Sequence, residues 1–200
     1  DMYNLSYTLL GLLVVINFFT QLFIDLIFTF FTKYFNIHKT VRTTPLIVFI
    51  GLILYAVLPK FFPALAYLWI VMGTVIFSIA SGLNEVLLSP VIAAIPSENP
   101  EHEMSKLHSM YAWGVVGVVI LSTLFLSIFG RENWMYLALL WSIVPFIVFL
   151  MFLKAKLPLI SNFKGQQKTT RLFNKGIILC TICIFLGGAT ECSMAQWCSG

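Results

Sequence analysis

The sequence predicts an all-α protein, a polytopic bundle of about six transmembrane helices, and three observations carry that prediction. Of the 200 residues, 60% are hydrophobic and 10% charged, with a mean hydropathy of +0.94. A soluble domain keeps about 25% of its residues charged, because its surface faces water. The few charges fall between long apolar runs instead of along helix faces. Most of those runs reach the roughly 20 residues that a helix needs to cross about 30 Å of hydrocarbon. They are too long and continuous for barrel strands, the other structure that satisfies its backbone in lipid.

The spans are expected at about Tyr7 to Thr32, Pro45 to Leu58, Ala64 to Ile95, Leu107 to Phe129, Trp134 to Leu153 and Asn174 to Ser199. The second is short, and its helix is expected to begin in the Thr43-Thr44-Pro45 turn, since proline suits a first helical turn. The third is longer than a bilayer requires, so it is expected to tilt or project, with Pro90 kinking it near its end.

Charge sets the expected topology. Loop 33–43 carries Lys33, Lys39 and Arg42, and loop 154–173 carries Lys154, Lys156, Lys164, Lys168 and Arg171. The connections at Pro59 to Pro63 and Gly130 to Asn133 have one basic residue each, Lys60 and Arg131. The positive-inside rule assigns both basic loops to the cytoplasm. An even number of spans separates them, so the acidic loop 97–106 shares their side and the N-terminus lies outside. Most of the net charge of +4 sits in these loops and calls for no nucleic-acid partner. The chain opens on Asp1, enters a helix almost at once and shows no signal peptide. Its last helix stops abruptly, so it is expected to be part of a longer protein.

The four cysteines, Cys180, Cys183, Cys192 and Cys198, cluster near the C-terminal end. Cys180 and Cys183 form a CxxC inside an apolar run, with no second pair at metal-binding spacing. They are expected to be buried as small hydrophobes.

Polar residues within spans are the informative ones, because an ionisable side chain near the membrane centre costs at least a few kcal/mol. Asn17, Gln21 and Asp25 recur at intervals of four and form a polar stripe on one helix face. Asp25 lies two turns before Lys33; it either pairs with a loop cation such as Arg42 or contacts substrate. Glu85, in Ser81-Gly82-Leu83-Asn84-Glu85, is expected deep in the third span. A carboxyl in apolar surroundings can take up and release a proton near neutral pH. Glu85 therefore either carries a proton through a conformational cycle or stays protonated and bonds a neighbouring helix.

Glu191 follows Gly187 and Gly188, which permit close helix approach. With Gln196 and Trp197 it offers a carboxylate, an amide and an aromatic face, a set that suits a polyhydroxylated ligand. The alternative is helix packing with an interfacial tryptophan. His108 and Tyr111, three apart at the start of the fourth span, can reach a ligand together, or His108 is a solvated helix-start residue. Gly114 and Gly117 leave room for a neighbouring helix. No phosphate loop, paired metal ligands or serine elbow occurs, so no enzyme activity, metal or cofactor is expected.

The stretch Gly82 to Gly114 resembles the major facilitator superfamily, and within it the fucose permease-like sugar:proton symporters. That group has a fourth helix with a glutamate, three residues, a small polar residue and a proline, matched here by Glu85, Ser89 and Pro90. The family usually has Asn where Ser89 stands. A fifth helix follows with polar residues ahead of an aromatic-glycine pair, here His108 and Tyr111 before Trp113-Gly114. Gly188 to Ser193, with Gln196 and Trp197, is similar to the start of the family's seventh helix. Asp25 through Arg42 resembles a degenerate form of its cytoplasmic loop motif.

The resemblance covers nearly the whole chain, as helices two to seven of a twelve-helix transporter. It implies that 1–153 is most of the N-terminal transmembrane bundle lacking its first helix. Residues 154–173 would be the cytoplasmic inter-bundle loop, and 174–200 the first helix of the C-terminal bundle. It implies secondary active transport by alternating access, with Glu85 as the proton-coupling residue. The substrate-binding residues would be Asn84, His108, Tyr111, Glu191, Gln196 and Trp197. Expected partners are a sugar or similar small solute, protons, membrane lipids and the remaining helices of the transporter, whose first helix normally carries an acidic coupling partner. The fragment is not expected to transport by itself. The rival classes are an exporter of another metabolite or drug, a non-transporting receptor-like relative and a lipid-acting membrane enzyme.

Overall fold

In lipid a chain must satisfy its backbone internally, and long helices are how this chain does so. The computed structural model describes residues 6–31 and 34–155, together with Leu179, Ile182, Cys183, Phe185, Leu186, Ala189 and Thr190. Five helices follow in order: α1 (Tyr7–Phe31), α2 (Ile37–Phe61), α3 (Ala66–Ala93), α4 (Pro100–Phe129) and α5 (Trp134–Lys154). Each is long and apolar enough to cross a membrane. The protein is an all-α, multi-pass membrane protein. Its chain divides into two compact units, Asp1–Ile160 and Ser161–Gly200. In the second, the seven described residues are helical; the remainder of the expected sixth span lies outside the described residues.

Two helices start earlier than the hydropathy suggests. The second begins at Ile37 and not at Pro45, because Asn36 caps it by accepting a hydrogen bond from the Lys39 amide. Asparagine is a favoured cap for free helix amides. Pro45 therefore lies inside α2. The hydroxyls of Thr43 and Thr44 donate to the Lys39 and Thr40 carbonyls in the turn before it, Thr44 at 2.6 Å. Such hydroxyls help a membrane helix absorb a proline. The fourth helix begins at Pro100 and not at Leu107: Asn99 caps it, Pro100 occupies its first turn, and Glu101 and Glu103 suit the positive end of its dipole. The connections expected at 33–43 and 97–106 are correspondingly shorter.

Three pairings hold the first unit together: α2 with α3, α2 with α5 and α1 with α3. The α2–α3 hairpin closes through reciprocal glycine contacts. A methyl group on Gly51 would sit 2.7 Å from the Phe77 backbone nitrogen, and one on Gly73 2.7 Å from the Tyr55 backbone. The Tyr55 and Phe77 rings meet edge-on between them, with centroids 6.1 Å apart. Small residues let membrane helices approach closely where no water-driven hydrophobic force operates. α5 runs antiparallel along α2: Phe146 stacks on Phe49 at 5.0 Å, Trp134 meets Tyr55 at 5.8 Å, and Arg42 donates to the Ala155 carbonyl at 3.1 Å. A buried cluster of Phe28, Val41, Leu87 and Val91 closes the end where α1 stops and α2 starts.

α4 stands apart. None of its residues is buried. Gly114 and Gly117, expected to admit a neighbouring helix, have nothing within 4 Å. Its clearest anchor is Ser122, whose hydroxyl accepts from the Trp141 indole of α5 at 2.9 Å.

Candidate functional site at the α1–α3 seam

α1 and α3 run parallel, in a register that polar contacts define. The Tyr67 hydroxyl donates to the Leu9 carbonyl at 3.3 Å near one end. Further along, the Ser78 hydroxyl donates to Asn17 Oδ1 at 2.6 Å, and Gln21 Nε2 donates to the same oxygen at 3.1 Å. One turn beyond, Gly82 faces Gln21 and Asp25; a methyl group there would lie 3.0 Å from the Gln21 carbonyl oxygen and 3.1 Å from Asp25 Oδ1. The same offset of 61 residues separates Asn17 from Ser78 and Gln21 from Gly82. The stripe of Asn17, Gln21 and Asp25 therefore meets a matching stripe of Thr74, Ser78, Gly82 and Glu85, whose spacings of three and four put them on one face of α3.

Both sides of this seam carry polar side chains, amides and an acid on α1 and hydroxyls on α3. The Ser78 hydroxyl lies 2.6 Å from both Asn17 Oδ1 and the Thr74 carbonyl oxygen, so one proton serves two acceptors. Asp25 Oδ1 is buried with no hydrogen-bond partner. Two other buried polar atoms lack partners among the described residues, Arg42 Nε and Trp69 Nε1; both are donors, and Asp25 is the lone acceptor of the set. Asp25 as a whole is half-buried, so one carboxylate oxygen is enclosed without a donor among the described residues while the residue keeps partial exposure.

Asp25 is the single charged residue of α1 and Glu85 the single charged residue of α3. The α1–α3 register sets Asp25 against Gly82, one turn before Glu85 on the same face of α3. From Asp25 to the end of α1 is about 9 Å of helix and from Glu85 to the end of α3 about 12 Å, at roughly 1.5 Å per residue. The two acids thus share one depth, whereas the sequence separated a peripheral Asp25 from a deep Glu85. Glu85 is exposed at the rim of the seam, and Asn84 beside it is half-buried. The cluster of Phe28, Val41, Leu87 and Val91 lies beyond the acids, between them and the nearer end of the bundle.

Other expectations change. The Arg42 pairing considered for Asp25 does not form: Arg42 turns to the Ala155 carbonyl, and among the described residues the salt bridge is an exposed one, Lys106 to Glu103 at 2.9 Å. His108 and Tyr111 are both exposed on α4 and are not brought to the seam. Glu191, Gln196 and Trp197 lie outside the described residues, as do Cys180, Cys192 and Cys198. Cys183 is a free thiol and is exposed, not buried as expected.

Ser78, Thr74 and Gly82 were not singled out by sequence reasoning. Their signal was present as small and polar residues four apart, leading into the one charged residue of the span. Compared against family models, curated proteins and solved structures, the chain matches none.

Proposed function

We propose that this protein belongs to a secondary active transporter that moves a small polar solute together with protons by alternating access. The observation that carries this reading is the α1–α3 seam. Each of two membrane-spanning helices has a single charged residue, both are acids, and the register of the seam sets Asp25 against Gly82, one turn from Glu85. Acids inside a membrane bundle mark proton relays and ion paths more often than they mark structural supports. A seam whose polar residues keep helical spacing gives α1 and α3 two surfaces that can shift against one another by discrete turns.

A sugar is the solute class that the resemblance in Gly82 to Gly114 favours, and Glu85 is the proton-coupling residue it favours. The end bearing Arg42, Lys154 and Ala155 gathers the basic termini of α2 and α5, so we assign it to the cytoplasm and the opposite end to the outside of the cell membrane. On that assignment the Phe28–Val91 cluster lies between the acids and the cytoplasm, where a gate belongs.

The test uses the intact protein in proteoliposomes with no imposed proton gradient. Hexoses, deoxyhexoses and other small metabolites are added in turn while internal pH is followed. Solute-dependent acidification that Glu85→Gln abolishes supports the proposal. Solute flux with no proton movement makes the protein a uniporter and leaves Glu85 a structural acid. Absence of any solute flux from folded protein returns the assignment to a receptor-like role.

A further inference from the structure

We infer that Asp25 and Glu85 form one proton-holding unit, with Asp25 as the second member of the coupling site. The inference rests on the proposed function and extends it to a residue that the family resemblance assigns to the loop motif. Three independent observations meet at Asp25. First, its Oδ1 is buried and has no donor, although Gln21 and Ser78 supply donors to Asn17 one and two turns away. Second, Gly82 faces that oxygen: a methyl group there would lie 3.1 Å from Asp25 Oδ1, tight enough that one of the two would have to give way. Third, Glu85 is one turn further on the same face of α3, with no hydrogen bond or ion pair to a described residue.

Two carboxylates that share a site cannot both stay ionised cheaply, and one proton held between them resolves the conflict. The roles differ by exposure. Glu85, at the rim, is the member that exchanges with water or a solute cavity. Asp25, half-buried with one oxygen enclosed, is the member that keeps the proton while the bundle rearranges. The transfer balances within the pair: the O–H bond of the Glu85 carboxyl breaks, the proton passes to an Asp25 carboxylate oxygen, and the electron pair stays on Glu85. The other titratable groups of the two helices are Tyr7 and Tyr67, toward the opposite ends. α3 also packs against α2, whose charged groups are His38, Lys39 and Arg42 near one end and Lys60 at the other. The nearest in sequence to the shared core, Arg42, is turned to the Ala155 carbonyl.

The experiment measures the proton-to-solute ratio in proteoliposomes for wild type, Asp25→Asn, Asp25→Glu, Glu85→Gln and the Asp25→Asn/Glu85→Gln double variant. Solute exchange between the two sides, which needs no net proton movement, verifies folding in each. Asn keeps the shape of Asp25 but cannot carry the proton; Glu is longer but can. The expected result is at least a tenfold loss of coupled proton entry in Asp25→Asn, retention in Asp25→Glu, and a double variant no worse than the worse single. If Asp25→Asn does not fold, the swap of Asp25→Glu with Glu85→Asp keeps both acids and must keep coupling; a folded swap that loses it overturns the inference. Coupling retained by Asp25→Asn and lost only in Glu85→Gln overturns the inference and leaves the proposed function standing. Additive losses make the acids two separate sites and also overturn it. Wild-type flux driven by sodium with no proton entry overturns both.

Discussion

The two faces of α3 obey different physics. Toward α2 it is sealed by Gly51 against Phe77, Gly73 against Tyr55 and two aromatic rings edge to edge. Toward α1 it presents Thr74, Ser78, Gly82 and Glu85 to a stripe of amides and an acid, and leaves a buried carboxylate oxygen without a donor. The first face is held by dispersion at close range. The second is held by a few hydrogen bonds of modest strength. One helix thus combines a close-packed, mainly apolar partner with a polar one.

Substitutions can break this contrast. The largest effect is expected at the sealed face. Gly73→Ala or Gly51→Ala places a methyl group against partner backbone that cannot swing aside, and should cost about 3 kcal/mol, the upper end of overpacking penalties. Unfolding of detergent-solubilised protein measures it, and a loss below about 1 kcal/mol would mean that the hairpin is looser than its contacts indicate. At the seam, Gly82→Ala intrudes by a few tenths of an ångström on Gln21 and Asp25. We expect a smaller stability loss of about 1 kcal/mol with a changed proton-to-solute ratio, whereas Gly73→Ala should leave the ratio unchanged in whatever protein folds. Ser78→Ala removes the hydroxyl that ties α3 to Asn17 and should cost about 0.6 kcal/mol, the usual worth of an interhelical hydrogen bond in a membrane. A double-mutant cycle with Asn17→Ala isolates that pair. Last, Gly114→Ala and Gly117→Ala on α4 have nothing to strike. They should be neutral or stabilise by up to about 1 kcal/mol through helix propensity, and a clear loss in either would reveal a partner for α4.

α4 extends the comparison. It is apolar enough to cross a membrane and carries a Gly114–Gly117 pair whose spacing suggests close packing, yet no residue of it is buried. A glycine pair therefore says that a helix can be approached, not that it is. Gly51 and Gly73, separated along the sequence and unremarkable within it, are the glycines that α2 and α3 use.

Much of the architecture was legible without coordinates. Apolar run length determined the helices, because crossing hydrocarbon demands a certain number of residues and a self-bonded backbone. The ends of α1 and α5 fall within a residue of expectation for that reason. The starts of α2 and α4 did not, because hydropathy ends where charged residues begin while helices continue to a cap, here Asn36 and Asn99. The stripe of Asn17, Gln21 and Asp25 was legible from spacing alone, and so was the isolation of Glu85 among apolar residues. What only the tertiary structure decided was that the α1 stripe faces the α3 stripe, with Asp25 one turn from Glu85. Periodicity names the face a residue occupies but not the height at which two helices meet. The register of α1 on α3 is set by the Asn17–Ser78 bond and the bare backbone at Gly82, contacts between residues 61 apart, and no local pattern records them.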